Sequence, residues 1–344
     1  MIPDGATIAR DSANRSGVVV MTRYLALCGL LATVVAASVH AAESGSPGIA
    51  ALVHKVGLAG DETADTADTA DAAAPPADAV TDQAKACAGV SFTRSLRYGE
   101  SEMNVLDVAA AEARESSPQA VLVFVAGESF AGEGATPDAA VPDEAMCFAA
   151  RHGMVGVRVA YRLAPANPWP TAARDVAAAT SWVHENIDLF GGSRDEIVAV
   201  GYSVGAFHVA SLLAHREFQE QDSDVAGAVL VSGIYRIGAD ASAAEKAYFG
   251  ADAGKYNERS AFPGILSIET PVLLAWSALD PPQLVAQGEA LKQLMCNSPT
   301  HCPHTKVLKS RDSLAAVFAP DAASGSLVGP TLELVREIET RELP

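Results

Sequence analysis

Basic residues are scarce in this chain. Only 24 Lys and Arg stand against 42 Asp and Glu in 344 residues, a formal net charge of −18. Nucleic acids are held through Lys and Arg on their phosphates, so this balance argues against a nucleic-acid partner, without selecting any small substrate. Cysteine is sparse as well, five residues in all. There is no CxxC pair and no Cys/His spacing suited to zinc; Cys302-Pro303-His304 is an isolated fragment, and no metal site is expected. Long apolar runs are missing except for one, Tyr24 to Val39, which falls short of the roughly 20 residues that a spanning helix needs. Histidine is the shortage that matters most below: eight in total, none after His304.

What is present is enough for a core. Hydrophobic residues make up 49% and charged residues 19% of the chain, the balance of a globular protein, and the length allows one large domain or two modest ones. The amino-terminal part is different in kind. From Met21 the chain reads MTRYLALCGLLATVVAASVHAAES: a basic Arg23, the apolar run, then small residues around Val39-His40-Ala41. This is the layout of a signal peptide over 21–41, with an uncleaved anchor as the alternative. Residues 1–20 fit no export signal, whose charged region lies at the true start, and are read as an upstream extension preceding a start at Met21. Residues 42–84 are rich in Ala, Asp, Thr and Pro, repeat the triplet TAD, and contain no Phe, Trp or Tyr. Such a segment buries too little surface to offset its ordering entropy and is read as an acidic linker. These features predict an exported protein, periplasmic or secreted, with no stable membrane span after signal cleavage. In an oxidising compartment Cys87, Cys147, Cys296 and Cys302 can pair, and the short loop between Cys296 and Cys302 makes that bridge the more plausible one.

Residues 85–344 alternate apolar runs with amphipathic stretches. Strands are predicted near 91–98, 103–108, 121–125, 154–161, 196–202, 226–233, 271–278 and 305–308, and helices near 139–151, 171–188, 204–216 and 283–295. The pattern implies an α/β fold: a mostly parallel central sheet with helices on both faces and an antiparallel hairpin at its amino-terminal edge. Functional groups in such sheets gather at the carboxyl ends of the strands.

EIVAVGYSVGAFHVASLLAH supplies strand, tight turn and helix in that order, with Gly201 and Gly205 flanking Ser203. This is the arrangement of a nucleophile elbow; the plainer alternative is a strand–helix turn with a structural serine. PVLLAWSALDPPQLVAQGEAL places Asp280 just past a strand, where an acid that orients a catalytic base belongs, or where it caps the following helix.

The block YRLAPANPWPTAARDVAAATSWVHENIDLFGGSRDEIVAVGYSVGA resembles the centre of the α/β-hydrolase carboxylesterases, the hormone-sensitive-lipase-like and related small esterases. The resemblance extends from about Val90 to Glu337 and includes YFGADAGKYNERSAFP and the turn ALDPP. It implies the α/β-hydrolase fold and hydrolysis of a small-molecule ester through an acyl-serine. Ser203 would be the nucleophile and Asp280 the acid, and no cofactor is implied.

The chain departs from the family twice. The loop after VLVFV, usually HGG, here reads Ala126-Gly127-Glu128, so the oxyanion hole would use the backbone N–H groups of Gly127, Glu128 and Val204, with an anion at Glu128 unfavourable if it points inward. The family histidine follows the last core strand in a turn resembling HNHLSEVY; aligning SLAAVF with HLSEVY puts Ser313 in its place, after Arg311 and Asp312. No other histidine is evidently placed to serve. His152 and His184 belong to the far edge of the sheet. His301 and His304 lie roughly 20–30 Å of extended chain ahead of residue 313, and His215 sits about three helical turns from Ser203. His208 lies five residues past Ser203, rotated roughly 140° from its direction. It and Asp312 are the remaining candidate bases. Three readings follow: a carboxylesterase acting on small acyl esters; a catalytically impaired pseudoenzyme that keeps the fold as a binding or interaction module; and a structural surface protein tethered by the linker.

Overall fold

The continuous run Ala120–Ala126 is buried at every position, as a strand covered on both faces must be. Its side chains alternate between two cores: Val121, Val123 and Val125 face one, Leu122 and Phe124 the other. This strand sits near the middle of an eight-stranded sheet in a computed structural model that describes residues 87–113, 116–127, 129–132, 141–219, 225–309, 314–318 and 326–341. The extension, signal and linker expected over residues 1–84 lie outside the described residues.

The strands are β1 (Val90–Arg97), β2 (Val105–Ala111), β3 (Gln119–Gly127), β4 (Val155–Val159), β5 (Gly192–Ser203), β6 (Gly227–Val231), β7 (Val272–Ser277) and β8 (His304–Leu308). Their order is β1-β2-β4-β3-β5-β6-β7-β8. β1 and β2 form the expected antiparallel edge pair, β2 also runs antiparallel to β4, and all other neighbours are parallel. The helices are α1 (Asp143–Arg151), α2 (Thr171–Asn186), α3 (Val204–Ala214), α4 (Ala243–Phe249), α5 (Tyr256–Arg259), α6 (Pro282–Met295), α7 (Leu314–Val317) and α8 (Val328–Arg341). Residues of α2, α3 and α6 pack into the first core and residues of α1, α7 and α8 into the second. The sheet is thus covered on both sides. No helix among the described residues is long and apolar enough to cross a membrane.

Boundaries shift for local reasons. β5 starts at Gly192 rather than 196 because Gly192 pairs with Gln119 at the start of β3. The helix expected to reach Asp188 stops at Asn186 and tightens into a 3₁₀ turn over Ile187–Phe190 that ends on Gly191 at φ 87°. β4 ends at Val159, and the chain then leaves the sheet, freeing Tyr161 for another role.

A pair of opposite charges, Arg158 and Asp107, is buried in this apolar sheet. Arg158 on β4 is 1% exposed, and such a charge is tolerated only when paired and fully hydrogen-bonded. It donates to Asp107 Oδ2 on β2 through Nε at 2.8 Å and Nη2 at 2.6 Å, and through Nη1 to Asp143 Oδ1 at 2.9 Å and the Val141 carbonyl at 3.0 Å. Arg94 on β1 bridges the same two carboxylates. The start of α1 is thereby tied to three strands. A disulfide between Cys87 and Cys147 ties α1 to the chain ahead of β1, and a second joins Cys296 to Cys302.

Candidate active site

Ser203 closes β5 with φ 54° and ψ −120°, a region that a non-glycine residue occupies only when its surroundings force it there. The forcing comes from the two glycines. A Cβ on Gly201 would lie 2.5 Å from the Ala206 Cα, and one on Gly205 would lie 2.0 Å from the Val125 carbonyl oxygen. Only hydrogen fits at either place, so β5, the turn and α3 pack tightly against β3. Ser203 occupies the N-cap position of α3, where a serine usually accepts a backbone N–H bond. It makes no such bond, so its hydroxyl is kept out of the helix cap, at the positive end of the helix dipole.

The register puts Gly127 opposite Ser203 across the β3–β5 pair. A Cβ on Gly127 would stand 2.2 Å from the Tyr161 Oη and 4.0 Å from the Val204 Cβ. Tyr161, from the YRLAP block, donates its hydroxyl to the Ala126 carbonyl at 3.2 Å. This bond orients the peptide whose N–H belongs to Gly127. Ser203, Gly127 and Val204 are therefore brought together at one strand end, while Glu128 lies outside the described residues.

Asp280 follows β7 and is 8% exposed. Its Oδ2 accepts the Ser277 N–H at 2.8 Å and the Ser232 hydroxyl at 2.6 Å. Ser232 follows β6 with φ 51°, a second strained serine whose conformation turns its hydroxyl toward the carboxylate. Asp280 does not cap α6, whose N-cap is Pro281 with no side-chain bond. β6 alone separates β5 from β7, so Ser203 and Asp280 are two strand spacings apart, roughly 10 Å.

The histidines lie elsewhere. His208 is buried on α3, with Phe130, Tyr161, Phe207 and Tyr248 around its ring at centroid distances of 5.9, 4.8, 5.6 and 5.5 Å. Neither ring nitrogen has a hydrogen-bond partner, and burial pushes its pKa down to about 3. A neutral imidazole enclosed by aromatic rings is a packing group. His215 bonds the Ser260 carbonyl at 3.0 Å and His152 the Phe148 carbonyl at 2.8 Å. His184 lies in the last turn of α2, and His301 in a 3₁₀ turn before β8. His304 opens β8 opposite Leu273, at the edge of the sheet away from Ser277 and Asp280, and meets Glu337 at 3.1 Å. Among the described residues no histidine stands beside Ser203 and Asp280. Asp312 and Ser313 lie outside the described residues, as do His40 and His54. No group of three or more His, Cys, Asp or Glu among the described residues converges as metal ligands.

Sequence reasoning missed two members of this site, Ser232 and Tyr161 in its orienting role. The first had a signal: the serine next to last in AGAVLVSG is a polar residue at the carboxyl end of a buried strand.

Comparison with known proteins places residues 122–263 in a family described as having the alpha/beta hydrolase fold. The chain is 34% identical over 120 residues to Esterase LipC of Mycobacterium tuberculosis, covering 35% of this chain and 28% of the relative. It is 36% identical over 98 residues to a probable carboxylic ester hydrolase, LipM, of the same organism, covering 26% and 22% respectively. The chain thus spans less than a third of the length of these relatives. Among solved structures, esterase B of Lactobacillus rhamnosis superposes with a TM-score of 0.60 at 14% identity, covering 77% of this chain and 94% of that one, which is a likeness of fold.

Proposed function

We propose that the chain, whose residues 122–263 match a family described as having the alpha/beta hydrolase fold, is an exported serine hydrolase of the carboxylesterase type acting on small acyl esters. The observation that carries the reading is Ser203: a strained, uncapped serine at a strand–helix turn that tolerates only glycine on either side. In the reaction Ser203 Oγ attacks the acyl carbon, its proton passes to a base, and the carbonyl electrons move to the oxygen. The N–H groups of Gly127 and Val204 stabilise that oxyanion as preorganised donors. Collapse expels the alcohol, which takes the proton, and water then releases the acid from the acyl-serine. Asp280, held by Ser232 and Ser277, is the acceptor that orients the base. Export is supported by the two disulfides, which persist in oxidising compartments.

One observation favours a second reading, a pseudoenzyme that binds rather than turns over. No described histidine reaches the site, and loss of a triad histidine costs on the order of 10⁶ in kcat. The two readings separate by hydrolysis of p-nitrophenyl acetate by the full chain beside Ser203→Ala. A serine-dependent rate supports the hydrolase; equal rates at background count against unaided hydrolysis of this ester and favour the binding module.

A further inference from the structure

Asp280 is built as half of an interaction. Both hydrogen bonds it receives fall on Oδ2; among the described residues no donor reaches Oδ1, and no Lys, Arg or His lies within 4 Å of the carboxylate. Burying a carboxylate without a cation or a full set of donors is costly, and this one is 8% exposed. The fold nevertheless fixes it from two sides, through the β7 turn at Ser277 and through Ser232 in a left-handed conformation at φ 51°. Strain of that kind persists where the surroundings over-determine it, and it clusters at functional sites. Across β6 stands the uncapped Ser203 hydroxyl. The two chain segments stand roughly 10 Å apart, so a group lying between the two side chains has to bond at opposite ends, as an imidazole does with a hydrogen bond of about 2.8 Å at each nitrogen. The chain's own described imidazoles are committed elsewhere, His208 within its aromatic enclosure and the others at carbonyls, carboxylates or the far sheet edge.

We infer that Asp280 is the docking point for a base carried by the ligand, and that the site takes acyl esters bearing an imidazole-type N–H azole of their own. This rests on the serine-hydrolase reading. The ligand's N–H donates to Asp280 Oδ1, and its second nitrogen accepts the Ser203 proton as Oγ bonds to the acyl carbon. The resulting cation, paired with Asp280, returns that proton to the departing alkoxide. If the base leaves with the alcohol, a second ligand molecule docks to activate water for deacylation. No oxidant, metal or further reactant is required.

The test uses the full chain with imidazole as the probe and N-methylimidazole, which keeps the basic nitrogen but has no N–H to donate. Two quantities are read: p-nitrophenyl acetate hydrolysis after subtraction of Ser203→Ala under the same conditions, and imidazole binding to Ser203→Ala by saturation-transfer NMR. The expected result is a saturable, Ser203-dependent rise on the order of 10²-fold with imidazole, none with N-methylimidazole, and loss of both the rise and the NMR signal in Asp280→Asn. Should Asp280→Asn not fold, Ser232→Ala is expected to weaken imidazole binding several-fold. A Ser203-dependent rate indifferent to imidazole, with no NMR signal, overturns the docking point and leaves the hydrolase standing. Asp280-dependent binding with no Ser203-dependent hydrolysis upholds the docking point and removes the hydrolase. Absence of both binding and rescue overturns it outright.

Discussion

Replacing His208 by leucine separates its packing role from any role as a base. In the native state burial lowers the imidazole pKa to about 3, whereas in the unfolded chain it titrates near 6.5. The unfolded state therefore binds more protons between those values, and stability falls as pH drops below about 6.5. Between pH 7.5 and pH 5.0 the His208 contribution to that fall is about 2 kcal/mol, at 1.36 kcal/mol per unit once the unfolded imidazole is mostly charged. The ring is surrounded by Phe130, Tyr161, Phe207 and Tyr248, and burial raises the pKa of both tyrosines, so these neighbours stay neutral across the interval. The assay is urea unfolding of wild type and His208→Leu at both pH values, taking the difference of differences so that groups common to the two proteins cancel. Wild type should lose about 2 kcal/mol more than the variant. Ser203-dependent ester hydrolysis at pH 7.5 should survive in a folded variant. Equal pH dependence in the two proteins would refute the buried neutral imidazole, and collapse of serine-dependent turnover without loss of fold would show that His208 is a base after all.

Three further outcomes are expected. Ser313→His, which restores the family residue at the aligned position, should raise Ser203-dependent hydrolysis by on the order of 10²-fold or more; an unchanged rate would break the alignment that assigns the position. Gly205→Ala puts a Cβ 2.0 Å from the Val125 carbonyl oxygen, a backbone contact with no flexible end to yield. It should cost about 1–3 kcal/mol in urea unfolding and reduce phosphonate labelling of Ser203; wild-type values for both would contradict the packing of the elbow. Arg158→Met leaves Asp107 buried without its principal cation and should cost about 3–5 kcal/mol. A loss below about 1 kcal/mol, the range of a surface pair, would show that the network contributes little.

The layout of this fold was legible where one residue type has one physical meaning. The unbroken apolar run VLVFV of β3 fits a strand covered on both faces, and Gly201 and Gly205 mark the close approach that the Cβ distances show. Ser203 and Asp280 were readable as candidates from their place after strands. Ser232 escaped because a serine ending a strand is common, and its meaning depends on a φ value that one residue letter does not carry. Arg158 escaped for the opposite reason. Inside Val155–Val159 it reads as an interruption of an apolar strand, and its partners Asp107 and Asp143 are 51 and 15 residues away. The Cys87–Cys147 bridge, spanning 60 residues, is likewise a long-range fact, whereas the short loop of Cys296–Cys302 is visible in the chain itself.

The frame around the site also has a bearing on how such a protein diversifies. The Gly132 N–H bonds the Ala164 carbonyl on one side, and the Val141 carbonyl is held by Arg158 on the other. The chain on either side of 133–140 is thus held by groups from outside that stretch. Substitutions within it leave every one of those groups in the sequence, together with the glycines and Tyr161 that set Ser203. A lineage can vary that stretch without altering a residue that fixes the elbow.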